Sequence, residues 1–190
     1  MAEPTPPRKL DPLAAVLSYL FPGLGQVVQG RIGKGLLFFI SLYALFFYGM
    51  SLGHMKNVWL PDATNLPEGE VRGVQLTGLP KALWYRPQFL GQFWIGVAAW
   101  PAVAQYIASD PKANDPDKGL PVIGQYMSKP AEANLNDLQR DGNKRFELGW
   151  VYTLIAGVLN ILVIYDALAG PAVRDDEAET PAPKPEGGAA

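Results

Sequence analysis

The chemistry open to this chain is limited first by the residue types that it lacks. It has no cysteine and one histidine, His54. A metal site built from several cysteines or histidines is therefore excluded, and so is a Ser-His-Asp triad split between different histidines. Two carboxylate pairs exist, Asp115 with Asp117 and Asp175 with Asp176, but they lie in proline- or alanine-rich stretches that favour solvation over acid–base work. We therefore predict no catalytic residue, no metal ligand, no cofactor and no enzymatic activity.

Polar side chains inside apolar runs are the better functional candidates. Gln92, Gln105 and Asn160 lie within such runs, and Asp166 lies at the end of one. Polar groups inside a membrane are costly and often functional, so these four residues are candidate sites. Hydrogen bonds between helices explain the three amides as well as a polar path does.

A glycine-rich junction separates the first two apolar runs, within Leu20–Phe39, LFPGLGQVVQGRIGKGLLFF. Pro22 removes a backbone donor and must stop or kink a helix that begins near residue 11. Gly23, Gly25 and Gly30 permit positive φ angles and close backbone approach. The pattern indicates a helical hairpin that anchors the chain in a membrane.

The same junction has to be weighed as a phosphate-binding loop. Gly25 and Gly30 have the spacing of G-x-x-x-x-G-K-[ST], but Arg31 replaces the lysine and Ile32 the hydroxyl residue. Arg31 and Lys34 instead precede a long uncharged run, and cations there are typical of the cytoplasmic end of a membrane helix. We therefore prefer the hairpin.

The run PGLGQVVQGRIGKG, followed by an apolar helix, resembles the P-G-L-G-Q-x-x-x-G-x-x-x-K-G signature of small bacterial multi-pass membrane proteins of unknown function. It is loosely similar to two-transmembrane (TM-two) domain proteins, although Arg31 departs from their aromatic-rich turn. The segment FELGWVYTLIAGVLNILVIYDALAGP resembles the closing helix of one such uncharacterised family. The resemblance implies membership and a membrane location, and it implies no particular activity.

Overall composition is that of a single domain with polar ends. The chain has 190 residues and a net charge of −2, which gives no reason to propose a nucleic-acid partner. Residues 1–10 and the acidic tail, 171–190, are predicted to be disordered, because they are rich in proline, alanine and glycine. Residues 11–170 are predicted to form a helical membrane domain.

Four apolar segments set the predicted architecture, which is an all-α, small helical transmembrane bundle with irregular loops. Because about twenty apolar residues span a bilayer, we predict three or four spans. The segments are 13–28, 35–53, 88–109 and 148–165.

Two arrangements in the membrane remain open for the first segment. Asp11 is predicted to cap its helix, with Pro12 at the first helical position. Segment 13–28 either crosses the membrane or is re-entrant; a signal peptide is disfavoured because no A-x-A site follows.

The sequence also gives predictions for individual elements. Gly49 and Gly53 form G-x-x-x-G, which permits close helix approach or marks a fraying end. Val71–Leu76 is predicted to be a loop, Ala131–Arg140 a short helix, and Gly170 the end of the last helix.

The distribution of lysine and arginine favours three spans, with the N-terminus cytoplasmic and the C-terminus outside. In either the three- or the four-span arrangement, Asp166 lies on the opposite side from Arg31. Its expected partners are then Lys56, Lys81 and Arg86.

These patterns predict an integral protein of the bacterial inner membrane that serves as a structural or assembly module. Its expected partners are the lipid bilayer and other membrane proteins or a second copy. The alternative is a small transport or channel component in which Gln92, Gln105 and Asn160 line a polar path.

Overall fold

The computed structural model of the protein describes residues 10–71, 74–108, 123–124, 126–128 and 144–170, and most of them are helical. Short 3-10 turns at Ala63–Asn65 and Gly96–Ala99 accompany the helices. The helices are α1 (Pro12–Leu20), α2 (Leu24–Val28), α3 (Ile32–Leu52), α4 (Gly78–Tyr85), α5 (Gln88–Phe93), α6 (Trp100–Ala108) and α7 (Lys144–Ala169).

The two long helices, α3 and α7, pack antiparallel to each other. A Cβ atom added to Gly49 would lie 2.7 Å from the carbonyl oxygen of Gly149, so the two backbones touch. The aromatic rings of Tyr48 and Tyr152 lie 5.5 Å apart beside this crossing. Gly49 and Gly53 of the G-x-x-x-G pattern therefore serve close helix approach. Both helices are long and apolar enough to cross a membrane.

The first hairpin, residues 12–28, follows the C-terminal half of α7 inward and then returns. Asp11 caps α1 by accepting from the backbone N–H of Ala14 at 3.0 Å, as predicted. The helix ends at Leu20, and the chain turns at Pro22 and Gly23, whose φ angle is +85°. Segment 13–28 is therefore two short helices joined by a turn, and among the described residues it is not one of the helices long enough to span a membrane.

The second hairpin, residues 88–108, approaches α7 from the opposite end. Its first arm, α5, reaches a turn at Gly96, where φ is +81°, and α6 runs back. Tyr106 near the end of α6 lines the same cavity as Asp62, which follows α3. Residues 88–109 were predicted to be a full span, and that prediction is wrong because the turn at Gly96 divides them.

The number of candidate spans is accordingly two among the described residues, fewer than the three or four predicted. The backbone N–H of Asp11 donates to the carbonyl oxygen of Leu168 at 2.9 Å, so the start of α1 lies beside the end of α7. This contact does not fit the predicted arrangement, in which the start of α1 and the end of α7 lie on opposite sides; the chain ends themselves lie outside the described residues.

The connection after α3 contains a short β-hairpin. Strands Gly69–Val71 and Val74–Leu76 pair antiparallel, with Gly69 opposite Leu76. The loop predicted there is wrong, because the two strands supply each other's partners. The predicted helix Ala131–Arg140 and the two predicted disordered tails lie outside the described residues, apart from Leu10.

Several polar side chains are buried in the interior, and many large apolar side chains are exposed on the surface. The side chains of Ser18, Gln26, Asn57, Gln92 and Asn160 are completely buried. Large apolar side chains instead face outward along both long helices and the hairpins. Examples are Ile40 at 63% exposure, Leu162 at 64% and Ile107 at 76%.

Candidate functional site

Asp166, near the end of α7, is the centre of a charged cluster at one end of the molecule, which we call the Asp166 end. Its carboxylate accepts from Arg31 Nη2 at 2.9 Å and from Lys34 Nζ at 2.6 Å. Gln26 Nε2 donates to the same group at 3.1 Å. The cluster joins the first turn of α3 to the last turn of α7.

The partners predicted for Asp166, namely Lys56, Lys81 and Arg86, are therefore wrong. The error follows from the false span at residues 88–109, because one extra crossing moves Asp166 to the opposite side from Arg31. Because α3 and α7 are antiparallel, the start of α3 lies beside the end of α7, and these residues share an end.

Gln26 and Ser18 hold the first hairpin to α7 and were missed as site residues. Gln26 Nε2 donates to the carbonyl oxygen of Val163 at 2.8 Å, and its Oε1 accepts from Ser18 Oγ at 3.0 Å. Ser18 Oγ also accepts from the backbone N–H of Gly25 at 3.1 Å. The signal in the sequence was the glutamine of P-G-L-G-Q, a buried polar residue that needs partners.

Gln29 and Asp11 form further hydrogen bonds at the Asp166 end. Gln29 Nε2 donates to the carbonyl oxygen of Ala167 at 2.7 Å and to Asp11 Oδ2 at 3.2 Å. The backbone N–H of Ala14 and the Gln29 amide hold the pKa of Asp11 below its ordinary value.

The glycines of the junction have distinct roles. Gly23 lies against the carbonyl of Gly35, and Gly25 against that of Ala14, so a side chain at either position would meet backbone. Gly30 has a φ angle of +80° and open space around it, so it serves the turn alone. Pro22 is buried at the bend. The sequence prediction of close approach is confirmed for Gly23 and Gly25.

Asn160 joins both hairpins to α7 at the place where their tips meet. Its Nδ2 donates to the carbonyl oxygen of Ser18 at 3.1 Å and to that of Trp94 at 2.8 Å. The rings of Tyr19 and Trp94, one from each tip, lie 5.9 Å apart, and Gly96 abuts the carbonyl of Tyr19. Asn160 therefore supplies donors to backbone that the turns leave unpaired.

Gln92 and Gln105 occupy two other contacts. Gln92 Nε2 donates to Thr153 Oγ1 at 2.8 Å and to the carbonyl oxygen of Asn57 at 3.3 Å. Gln105 Nε2 donates to the carbonyl oxygens of Gly124 and Tyr126, at 2.8 and 3.0 Å. The three predicted amides thus serve packed contacts between different elements.

Arg86 is a functional candidate that the sequence pointed to only as a partner of Asp166. It lies at the opposite end of the molecule, the Asn57 end, and is 8% exposed. Its Nη2 donates to the carbonyl oxygen of Asn57 at 2.9 Å, and its guanidinium stacks on Trp59, 3.8 Å from the ring centre. Burial lowers the pKa of Arg86 to about 9.

A cavity of about 390 Å³ also lies at the Asn57 end. Asp62, Thr64, Thr77, Lys81 and Tyr106 contribute its polar lining. None of the three predicted amides lines it. No group of three or more histidine, aspartate or glutamate side chains suited to a metal occurs within the described part of the chain.

The Asp166 cluster gives a first testable prediction. Replacing Arg31 by glutamine or Asp166 by asparagine should lower the free energy of unfolding by about 1–2 kcal/mol, because each removes charge-assisted hydrogen bonds. The double variant should lose about 1 kcal/mol less than the sum. Unfolding in mixed detergent micelles measures this coupling. Lys56→Gln with Asp166→Asn is the control pair, and equal coupling in both pairs would contradict the geometry.

Comparison with known proteins places the chain within one family. The model of a family of unknown function, DUF6677, matches residues 13–179, which includes both hairpins and both long helices. Neither the curated proteins nor the solved structures gave a match. The earlier resemblance to an uncharacterised family is confirmed at this level: the chain belongs to DUF6677, a family of unknown function.

Proposed function

We propose that the protein is an integral membrane protein whose helices α3 and α7 cross the bilayer, with one hairpin entering from each side. The distribution of polarity is the observation that carries this proposal. Exposed leucine, isoleucine and phenylalanine side chains cover α3 and α7, while Thr153 and Asn160 are fully buried between elements. In water this arrangement would leave many large apolar side chains of both helices exposed, whereas lipid solvates them.

The hairpins support the same proposal. Turns at mid-depth in a membrane require protein partners for their backbone groups, since lipid offers none. Asn160 supplies such donors to Ser18 and Trp94, and Gly25 donates to Ser18 Oγ. Two hairpins whose tips meet inside the protein therefore find there the hydrogen-bond partners that lipid does not offer.

We propose that the shared side of the two chain ends is cytoplasmic. Arg8 and Lys9 precede α1, and Arg31 and Lys34 lie at the start of α3. The connection between α3 and α7 also carries cations, but it exceeds the loop length for which the positive-inside rule holds. The bacterial inner membrane is the location that we propose.

Within the membrane, we propose a structural or assembly role without catalysis. Gln92, Asn160 and Gln26 are used in packed contacts, which is the arrangement expected of an interaction module. The exposed apolar faces of α3 and α7 offer lipid, another membrane protein or a second copy a surface to contact.

A small transport component is the second candidate, favoured by one observation. The carbonyl oxygens Gln92 Oε1 and Asn160 Oδ1, near the meeting hairpins, are buried and find no donor in the described ranges of the chain. Half-length helices that meet at mid-depth are also used by transporters to build substrate sites.

Fractionation and purification test the proposal. The chain should remain in membranes after an alkaline carbonate wash and should need detergent for purification. Affinity purification in mild detergent should retain a stoichiometric partner or a second copy. A monomer in plain buffer would overturn the membrane proposal. Solute flux in vesicles that disappears in both Gln92→Leu and Asn160→Leu would favour transport.

A further inference from the structure

Arg86 is a buried charge that the described residues leave uncompensated. Asp166 forms the ion pairs found among these residues, with Arg31 and Lys34, and no carboxylate pairs with Arg86. Within the described part of the chain, its side chain donates to one acceptor, the carbonyl oxygen of Asn57, and Nε is buried without an acceptor. A buried cation without a counter-ion is costly, so such a group points to an anion that completes the site.

A second unpaired donor lies in the same stacked pair. The indole Nε1 of Trp59, whose ring lies under the guanidinium, is also buried and has no acceptor among the residues that the structure describes. An indole N–H can only donate, and a guanidinium has no acceptor either. The pair therefore offers positive charge and N–H groups together, which is the chemistry that recognises an oxyanion.

The position of this pair favours a phosphate group. Trp84 and Tyr85, the last two residues of α4 and the two before Arg86, are exposed at 59% and 41%. Exposed aromatic side chains are typical of the headgroup level of a bilayer. Arg86 itself is 8% exposed, so its guanidinium lies just beneath the surface at this level.

We propose that Arg86 and Trp59 form a binding site for a phosphate oxyanion at the Asn57 end. The oxyanion accepts from guanidinium N–H groups and from the indole, and the stacked ring holds the guanidinium in place. The site takes the phosphate of a lipid headgroup or a free phosphate. The headgroup source rests on the proposed membrane location, whereas the oxyanion chemistry does not.

Thermal unfolding of the purified full chain tests the site with two probes. Inorganic phosphate is added in a maltoside detergent that contains no phosphate. In the other arm, the chain is placed in vesicles of neutral galactolipid, alone or in an equal mixture with phosphatidylglycerol. Either probe should raise the unfolding temperature of the wild type. A rise in both arms means that phosphate alone suffices, and a rise only with phosphatidylglycerol identifies the headgroup.

Variants decide whether the site is Arg86 and Trp59. Arg86→Gln should abolish the rise, and Trp59→Phe, which keeps the stacked ring, should weaken the apparent affinity roughly tenfold through one lost donor. Lys81→Gln removes a nearby cation, from α4, and should leave the rise unchanged.

The results of these experiments test the oxyanion site and the membrane location separately. If Arg86→Gln does not fold, Trp59→Phe and Arg86→Lys, which keeps charge without the planar fork, carry the test through weakened affinity. No rise with either probe, or an equal rise in wild type and Trp59→Phe, overturns the oxyanion site. A chain that is monomeric in plain buffer overturns the membrane proposal, while phosphate titration in that buffer still tests the site.

Discussion

Replacing Gly96 by alanine is expected to lower the free energy of unfolding by about 2–5 kcal/mol, the sum of a conformational and a packing cost. The φ angle of +81° costs an alanine about 1–2 kcal/mol. The added Cβ would also meet the carbonyl oxygens of Tyr19 and Leu20, which are backbone atoms of the other hairpin. Overpacking against backbone adds about 1–3 kcal/mol.

Gly30→Ala is the matched control for this prediction. Its φ angle of +80° is nearly the same, but nothing lies within 4 Å of the added Cβ. The control should therefore lose only the conformational part, about 1–2 kcal/mol. Unfolding in mixed micelles compares the two variants. Equal losses would mean that the hairpin tips do not meet at Gly96.

Replacing Asn160 by leucine is expected to cost about 2–4 kcal/mol. The substitution removes the donor to two buried carbonyl oxygens, those of Ser18 and Trp94, and each unpaired group costs about 1–3 kcal/mol. In the membrane location that we propose, such values are lower, because a partly unfolded chain finds other partners there. The leucine side chain also has to fit where an amide packs between two hairpins.

Ser41→Leu is the control for the change from polar to apolar. Ser41 is exposed on α3, so leucine there adds apolar surface where we propose lipid, and no loss of stability is expected. Unfolding measurements on both variants check the difference. A loss at Asn160 no larger than at Ser41 would show that Asn160 does not hold the hairpins.

Local signals in the sequence were sufficient for several elements. The cap by Asp11, the stop at Pro22 and the turn at Gly170 depend on nearest neighbours and were predicted. Helices α3 and α7 were also predicted, because long uncharged runs have few alternatives.

Residues 88–108 show where local signals fail. Their length and composition suit one full span or two half-length arms equally well. The choice depends on contacts far away in the chain, such as Gly96 against Tyr19 and Asn160 with Trp94. Pro101 lies in the first turn of the returning arm, α6, where a proline is tolerated.

The false span at residues 88–109 also made the predicted partners of Asp166 wrong. Whether Asp166 meets Arg31 depends on the number of crossings between them, so one false span reversed the prediction. Arg86 had no sequence signal of its own beyond a cation near aromatic residues. Its burial on Trp59 appears only when α4 and the residues after α3 are brought together.

The central claim, two crossings with hairpins that turn back, is tested most directly by single-cysteine labelling, since the chain has no cysteine of its own. Thr5, Glu68, Lys118 and Thr180 are replaced one at a time, and intact cells or oriented vesicles are treated with a membrane-impermeant maleimide. Two crossings predict that positions 5 and 180 react from one side, and positions 68 and 118 from the other. Reaction of positions 5 and 180 from opposite sides would contradict the account.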